Sequence, residues 1–496
     1  MLSGALVVLS LAACSPQSPI AGDVTAPTTS PSGPAPAPVD PDLARFYAQD
    51  LRWEPCDGGE CARFEVPVDY DDPSGPTLEI AVLRRVASGE SRGALVVNPG
   101  GPGSSGVSYA RAADIVVSDV LREDFDIVGF DPRGVGASAP VECLADAEVD
   151  ALISTDGTPD SPAEIADIEA ASTVVDCEST VPGLMENMST IDAARDLDVL
   201  RAALDQERLD YLGVSYGTHL GATYAALFPD RVGRFVLDGP LPAALDAEEL
   251  ALGQAQGFED ALRRFVADCL ATEGCPLGSG ADVESGMQRL REILEAVDAQ
   301  PAPTDDPARP LTEAAATYAI LLSLYRVGDR PLLRDALASL ASGDGTPLQR
   351  MLDERAGRNG DGTYRDNSFD AFYAVSCRDR AVPREVALSV DRFIEAAPFL
   401  GEYFAWGNLP CAGTPFVGPT RFGAPVPAML VIATTHDPAT PFMWADEFVA
   451  QFDDAVLLVR EGDGHTAYRE GSACVDEAVD GFMRDGALPE PGTVCD

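Results

Sequence analysis

LDYLGVSYGTHLGATYAALF, residues 209–228, decides how this chain folds. Leu209 to Val214 is a short apolar run of strand length, and Thr218 to Phe228 reads as a helix. Between them stands Gly213-Val-Ser215-Tyr-Gly217. A strand, G-x-S-x-G and a helix in direct succession force a turn so tight that its central residue takes strained backbone geometry. Small residues on either side keep neighbouring atoms from colliding there. Ser215 then presents its hydroxyl at the end of a sheet. Its backbone starts a helix whose N–H groups favour developing negative charge. The bare pentapeptide arises by chance in many long chains, and the strand and helix around it give it weight.

Outward from this turn, the pattern is that of a sheet buried on both faces. Ala94 to Asn98, Phe125 to Phe130, Arg234 to Asp238, Ala428 to Ala433 and Ala455 to Arg460 are short apolar runs of strand length. Cys61 to Tyr70 and Leu78 to Ala87 alternate as an antiparallel pair, and Ile191 to Leu204 reads as a helix. The expected fold class is α/β, a mostly parallel doubly wound sheet of the α/β-hydrolase type with a helical cap insertion. Helical periodicity within the cap falls on Leu262 to Leu270, Met287 to Val297, Ala314 to Leu324 and Leu332 to Leu340. The core is assigned to residues 46–240 and 426–496, and the cap to 241–425.

A serine hydroxyl is a poor nucleophile at neutral pH and needs a base, which in turn needs an orienting acid. Only His219, His436 and His465 are available as base. His219 lies one helical turn beyond Ser215 and points away from it, while His436 directly precedes Asp437. His465 follows the last apolar strand in Gly462-Asp-Gly-His465, as the nucleophile–acid–base chain order of this fold requires. Asp437 after the penultimate strand is the expected acid, with Asp238 at the end of the strand after the elbow as its rival. Asp131 is expected to hold its own loop in shape through Arg133. Asn98-Pro-Gly-Gly-Pro-Gly103 follows a strand where a backbone oxyanion donor is required. Gly101 is assigned one N–H, with Gly100 as the alternative, and Tyr216 the other.

Bulk properties limit the partners. The net charge is −47, with 34 basic residues that are all Arg against 81 acidic ones. Such a surface repels nucleic acid and anionic lipid, so neither is expected as a partner. Residues 1–14 form an apolar segment ending in Leu11-Ala-Ala-Cys14, which reads as a lipoprotein signal with Cys14 as the lipid acceptor, although a basic leader is missing. Residues 15–45 are a Pro-, Ser-, Thr- and Ala-rich tether. An exported, cell-envelope or secreted protein follows, touching membrane only through that anchor. Setting Cys14 aside leaves ten of the 11 cysteines, enough for five disulfides in an oxidising compartment. Neighbour pairing along the chain is the simplest of the connectivities the sequence allows. With three histidines and no C-x-x-C, no metal site is expected, and the chemistry needs no cofactor.

Taken in order, Gly100-Gly-Pro-Gly-Ser-Ser-Gly106, Asp131-Pro-Arg-Gly-Val-Gly136, Gly213-Val-Ser-Tyr-Gly-Thr-His-Leu-Gly221, Val236-Leu-Asp-Gly239 and Asp437-Pro-Ala-Thr-Pro441 resemble the secreted bacterial tripeptidyl aminopeptidases. These belong to the proline-iminopeptidase-like group of α/β-hydrolases. The resemblance runs from about Trp53 to Cys495 and implies a serine peptidase that removes tripeptides from free amino termini. It also implies Ser215, Asp437 and His465 as the triad. Two departures stand out: His436 before the acid, and Thr466 after His465 where relatives often carry Gly. Recognition of a substrate ammonium calls for a carboxylate in the cap. Glu259, Asp260 and Glu402 are possible, with none preferred. The alternatives are an esterase or lipase with the same triad, or a non-catalytic lipid-anchored peptide-binding protein.

Overall fold

The computed structural model describes residues 40–155, 177, 179–382, 390–407, 411 and 426–496. Cys14 and the tether up to residue 39 lie outside the described residues. Residues 41–45, assigned above to the tether, are instead folded. Pro41–Leu43 forms a turn of 3-10 helix and Ala44–Tyr47 a turn of α-helix. They are held because Phe46 is buried in the core and the Tyr47 hydroxyl donates to Asp198 at 2.6 Å.

Ten strands form one sheet: β1 (Glu54–Cys56), β2 (Gly59–Pro67), β3 (Thr77–Arg85), β4 (Ala94–Asn98), β5 (Asp126–Phe130), β6 (Leu209–Val214), β7 (Val232–Asp238), β8 (Met429–His436), β9 (Ala455–Asp463) and β10 (Val494–Cys495). Their order is β1-β2-β3-β5-β4-β6-β7-β8-β9-β10. The pairs β1–β2, β2–β3 and β3–β5 are antiparallel, and the rest of the sheet is parallel. The two short edge strands, β1 and β10, carry no apolar pattern and escaped the sequence reading.

Alternation along each central strand sends neighbours to opposite faces. Val96, Tyr211 and Leu237 pack beneath the helices Thr190–Ala203 and Tyr216–Leu227. Leu95, Val97, Leu212 and Val236 meet Ala110, Leu121, Val475 and Phe482 on the other face. The first of these helices is started by a capping box in which Ser189 and Asp192 exchange hydrogen bonds.

Between β7 and β8 the described residues carry eight α-helices. Leu262, Phe265, Leu290, Ile293, Ile320, Leu333 and Leu337 give this cap its own apolar core. A second excursion reinforces it. The helix Asp146–Ser154 packs Ile153 against that core, and Asp150 accepts a bidentate pair from Arg358 at 2.7 and 2.8 Å. Cysteines pair as neighbours: Cys56–Cys61, Cys143–Cys177, Cys269–Cys275, Cys377–Cys411 and Cys474–Cys495.

Candidate active site

The elbow joins β6 to the helix Tyr216–Leu227, with Ser215 at φ +58° and ψ −125°. A non-glycine residue there is strained, and three bonds hold it. Ser215 N–H donates to the Asp238 carbonyl at 2.8 Å, while its own carbonyl accepts from Thr218 N–H at 2.8 Å and the Thr218 hydroxyl at 2.7 Å. Gly217 lets Asn98 approach, since a Cβ at this position would lie 2.9 Å from the Asn98 carbonyl.

The loop after β4 backs directly onto the elbow. A Cβ on Gly100 would stand 2.5 Å from the Val214 carbonyl and 3.0 Å from both Ser215 Cβ and Tyr216 N, so only glycine fits. Gly100 N–H is taken by Asn98 Oδ1 at 3.0 Å. The alternative donor is therefore occupied, and Gly101, at φ +106°, follows it in the same loop. Tyr216 is the first residue of the elbow helix, where an N–H has no intrahelical acceptor.

His465 follows β9 and Asp437 follows β8. His465 Nδ1 lies 2.8 Å from Asp437 Oδ1 and 3.0 Å from Oδ2. Asp437 also accepts the N–H groups of Ala439 and Thr440, each at 2.9 Å, and of Thr466 at 3.0 Å. A carboxylate so placed keeps the imidazole proton on Nδ1 and leaves Nε2 as the basic nitrogen. Nε2 is buried and has no hydrogen-bond partner among the described residues. Burial pulls the imidazole pKa down, but the Asp437 charge and hydrogen bond, with help from Asp238, outweigh it and leave the pKa raised. Gly239, which follows β7, links the parts. A Cβ on it would be 3.5 Å from His465 Cε1, and its carbonyl accepts the Thr218 hydroxyl at 3.3 Å.

Ser215, Asp437, His465, Gly101 and Tyr216 all follow the carboxyl ends of parallel strands, and of these the structure joins His465 to Asp437 by a hydrogen bond while the rivals make other contacts. His436 Nδ1 faces Asp260 at 2.8 Å on the half-exposed rim. His219 is buried in the elbow helix, its pKa pushed well down by burial and then by Arg380. The Asp238 carboxylate accepts backbone N–H groups of Ala467 and Tyr468 and makes no bond to the imidazole. Asp131 does shape its loop, accepting from the Ser105 hydroxyl at 2.6 Å and Ala137 N–H at 2.8 Å, but not through Arg133. Arg133 instead makes a buried two-point pair with Asp196, at 2.8 and 2.6 Å, because its fork matches that carboxylate. Of the acids considered for an ammonium, Glu259 caps Phe399 and Leu400 N–H groups at 3.0 and 3.1 Å.

One departure has a backbone cause. Thr466 sits at φ +69°, a conformation that costs a β-branched residue and suits glycine. Sequence reasoning missed Tyr325, a cap residue just past the helix Glu313–Leu324. Its ring meets the His465 ring edge-on at 5.2 Å.

The alpha/beta hydrolase fold family matches residues 93–294, and the family described as TAP-like protein matches residues 397–495. Serine protease Hip1 of Mycobacterium tuberculosis is 36% identical over 479 residues, covering 90% of this chain and 91% of that protein. This chain is a TAP-like α/β-hydrolase. The TAP-like hydrolase is also 36% identical to carboxylesterase B of M. tuberculosis, over 88% of this chain and 86% of the relative. It is 31% identical to the tripeptidyl aminopeptidase of Streptomyces lividans, over 91% of this chain and 88% of the relative. The TAP-like hydrolase is accordingly a serine hydrolase.

Proposed function

We propose that this hydrolase is an exported serine exopeptidase that releases tripeptides from the free amino termini of peptides. One observation carries the reading. A strained serine at an elbow accompanies an imidazole whose Nδ1 is fixed by Asp437 and whose Nε2 is buried without a partner among the described residues. That supports acyl transfer in two steps. Ser215 Oγ bonds to the scissile carbonyl carbon while its proton passes to His465 Nε2. Gly101 and Tyr216 N–H groups take the oxyanion. Collapse breaks the C–N bond, and Nε2 returns the proton to the departing amine. Water then attacks the acyl-enzyme, losing its proton to Nε2, and the tripeptide acid leaves as Ser215 is reprotonated. Relatives named serine protease and tripeptidyl aminopeptidase support peptides as substrates. The five disulfides support export, and Cys14 is the residue assigned to the lipid anchor.

The test is release of a chromogenic amine from a tripeptide amide, with its amino terminus free or acetylated, by wild type and Ser215→Ala. Cleavage of the free-terminus substrate alone, abolished in the variant, supports the proposal; equal cleavage of both sinks the exopeptidase reading. The relative named carboxylesterase B favours a second reading, an esterase. Turnover of short acyl esters with neither amide cleaved would select it.

A further inference from the structure

Asp238 is a buried carboxylate that the mechanism above leaves unused. It closes β7 and is fully enclosed. Its main-chain carbonyl accepts Ser215 N–H at 2.8 Å. Its Oδ2 accepts the N–H of Ala467 at 2.9 Å and of Tyr468 at 2.8 Å, with Oδ1 3.2 Å from the Ala467 nitrogen. One residue therefore grips the backbone of the serine and of the segment immediately after the histidine. The titratable groups facing it are Asp437 beyond β8, His465 beyond β9 and the Tyr109 phenol on the helix Gly106–Arg111. Of these, only His465 can become positive.

Resting on the serine-hydrolase reading, we infer that Asp238 is a positioning residue: its backbone and carboxylate hold Ser215 and the His465 loop in register, and its charge favours the imidazolium formed as His465 takes the Ser215 proton.

The stability balance argues the same way. Burial pushes the Asp238 carboxyl up to about 6, against the restraint of the Tyr468 and Ala467 N–H groups and with a further push from Asp437. A carboxyl raised on folding lends stability below its unfolded value, and that contribution is lost as pH rises through the folded one. The ionised form thus costs the fold stability near neutrality. An Asn can still accept both strong N–H bonds through its single oxygen, while its NH2 takes the place of Oδ1, 3.2 Å from the Ala467 nitrogen.

Asp238→Asn separates charge from hydrogen bonding. In the variant, kcat should fall about tenfold with KM changed less than about twofold, and the acid limb of kcat/KM should move down by about one pH unit. Unaltered kcat and pH profile would overturn the inference and leave Asp238 a structural residue. Should the variant not fold, NMR titration of the three histidines in the wild type decides. The His465 signal should show a second inflection as Asp238 ionises; a single step overturns the proposal. Fluorophosphonate labelling keeps the two readings apart: a wild type not modified at Ser215 fails the serine-hydrolase reading itself. Labelled wild type with an indifferent Asp238→Asn fails only the role of Asp238.

Discussion

His465 donates its backbone N–H to the carbonyl of Tyr325 at 2.9 Å, so the base hangs from the cap as well as from the sheet. The Tyr325 ring reinforces this by packing edge-on against the imidazole, with an interplanar angle of 89°. Tyr325→Ala should lower kcat about fivefold, the scale of an aromatic pair worth roughly 1 kcal/mol, while Tyr325→Phe keeps near-wild-type turnover. Steady-state kinetics on both variants check this.

The two adjacent residues His436 and Asp437 should behave oppositely. Asp437→Asn leaves the fold intact but permits the wrong imidazole tautomer, and should cost about 10⁴-fold in kcat. His436→Gln removes only a rim contact with Asp260, and should change activity by less than about threefold, as for an exposed pair. Equal losses in both would contradict the assignment of the acid.

Activity should rise with pH. Burial lowers the His465 pKa, but Asp437 and then Asp238 raise it further, so the net direction is up. The neutral base is then scarce at acid pH, and the acid limb of kcat/KM should have an apparent pKa above about 6.5. Stability runs the other way: the charged His465–Asp437 pair supports the fold fully below the unfolded histidine pKa. That support fades as pH rises through the folded value. A pH–rate profile and melting curves from pH 5 to 9 measure both.

Gly100→Ala puts a methyl group 3.0 Å from Tyr216 N and 2.5 Å from the Val214 carbonyl. Displacing a backbone donor in this way should cost about 10²–10³-fold in kcat with a smaller change in KM. Unchanged turnover would remove this loop from the oxyanion assignment.

Thr466→Gly should raise stability by about 1 kcal/mol, because it relieves a β-branched residue held at positive φ. Thr466 binds Asp437 through its backbone N–H, which glycine retains, so kcat should stay within about twofold. Denaturant unfolding and kinetics test the two parts separately.

The central strands and the elbow were legible because β-strands buried on both faces are short apolar runs, whatever lies around them. The cap was legible only in part. Its helix Ala247–Leu270 was expected to start near Leu262, yet it begins fifteen residues earlier, at a capping box made by Asp246 and Glu249. The missing part is Ala- and Gly-rich because it lies close to the acid loop. Gly253 meets the Trp444 ring and Gly257 the Pro438 carbonyl. Small residues pressed against backbone have no apolar period to read.

Local order along the chain was enough to single out a serine at a strand–helix turn, a glycine loop after a strand, and an acid and a base after the last two long strands. These follow from sterics and hydrophobic periodicity, which act over a few residues. The tertiary structure decided which of two carboxylates meets His465 Nδ1, which glycine N–H is already taken by Asn98, and where Arg133 finds its partner. It also hung the base from Tyr325. Hydrogen bonds and ion pairs fade within a few ångströms, so their partners are set by where distant segments meet, a distance that sequence separation does not encode.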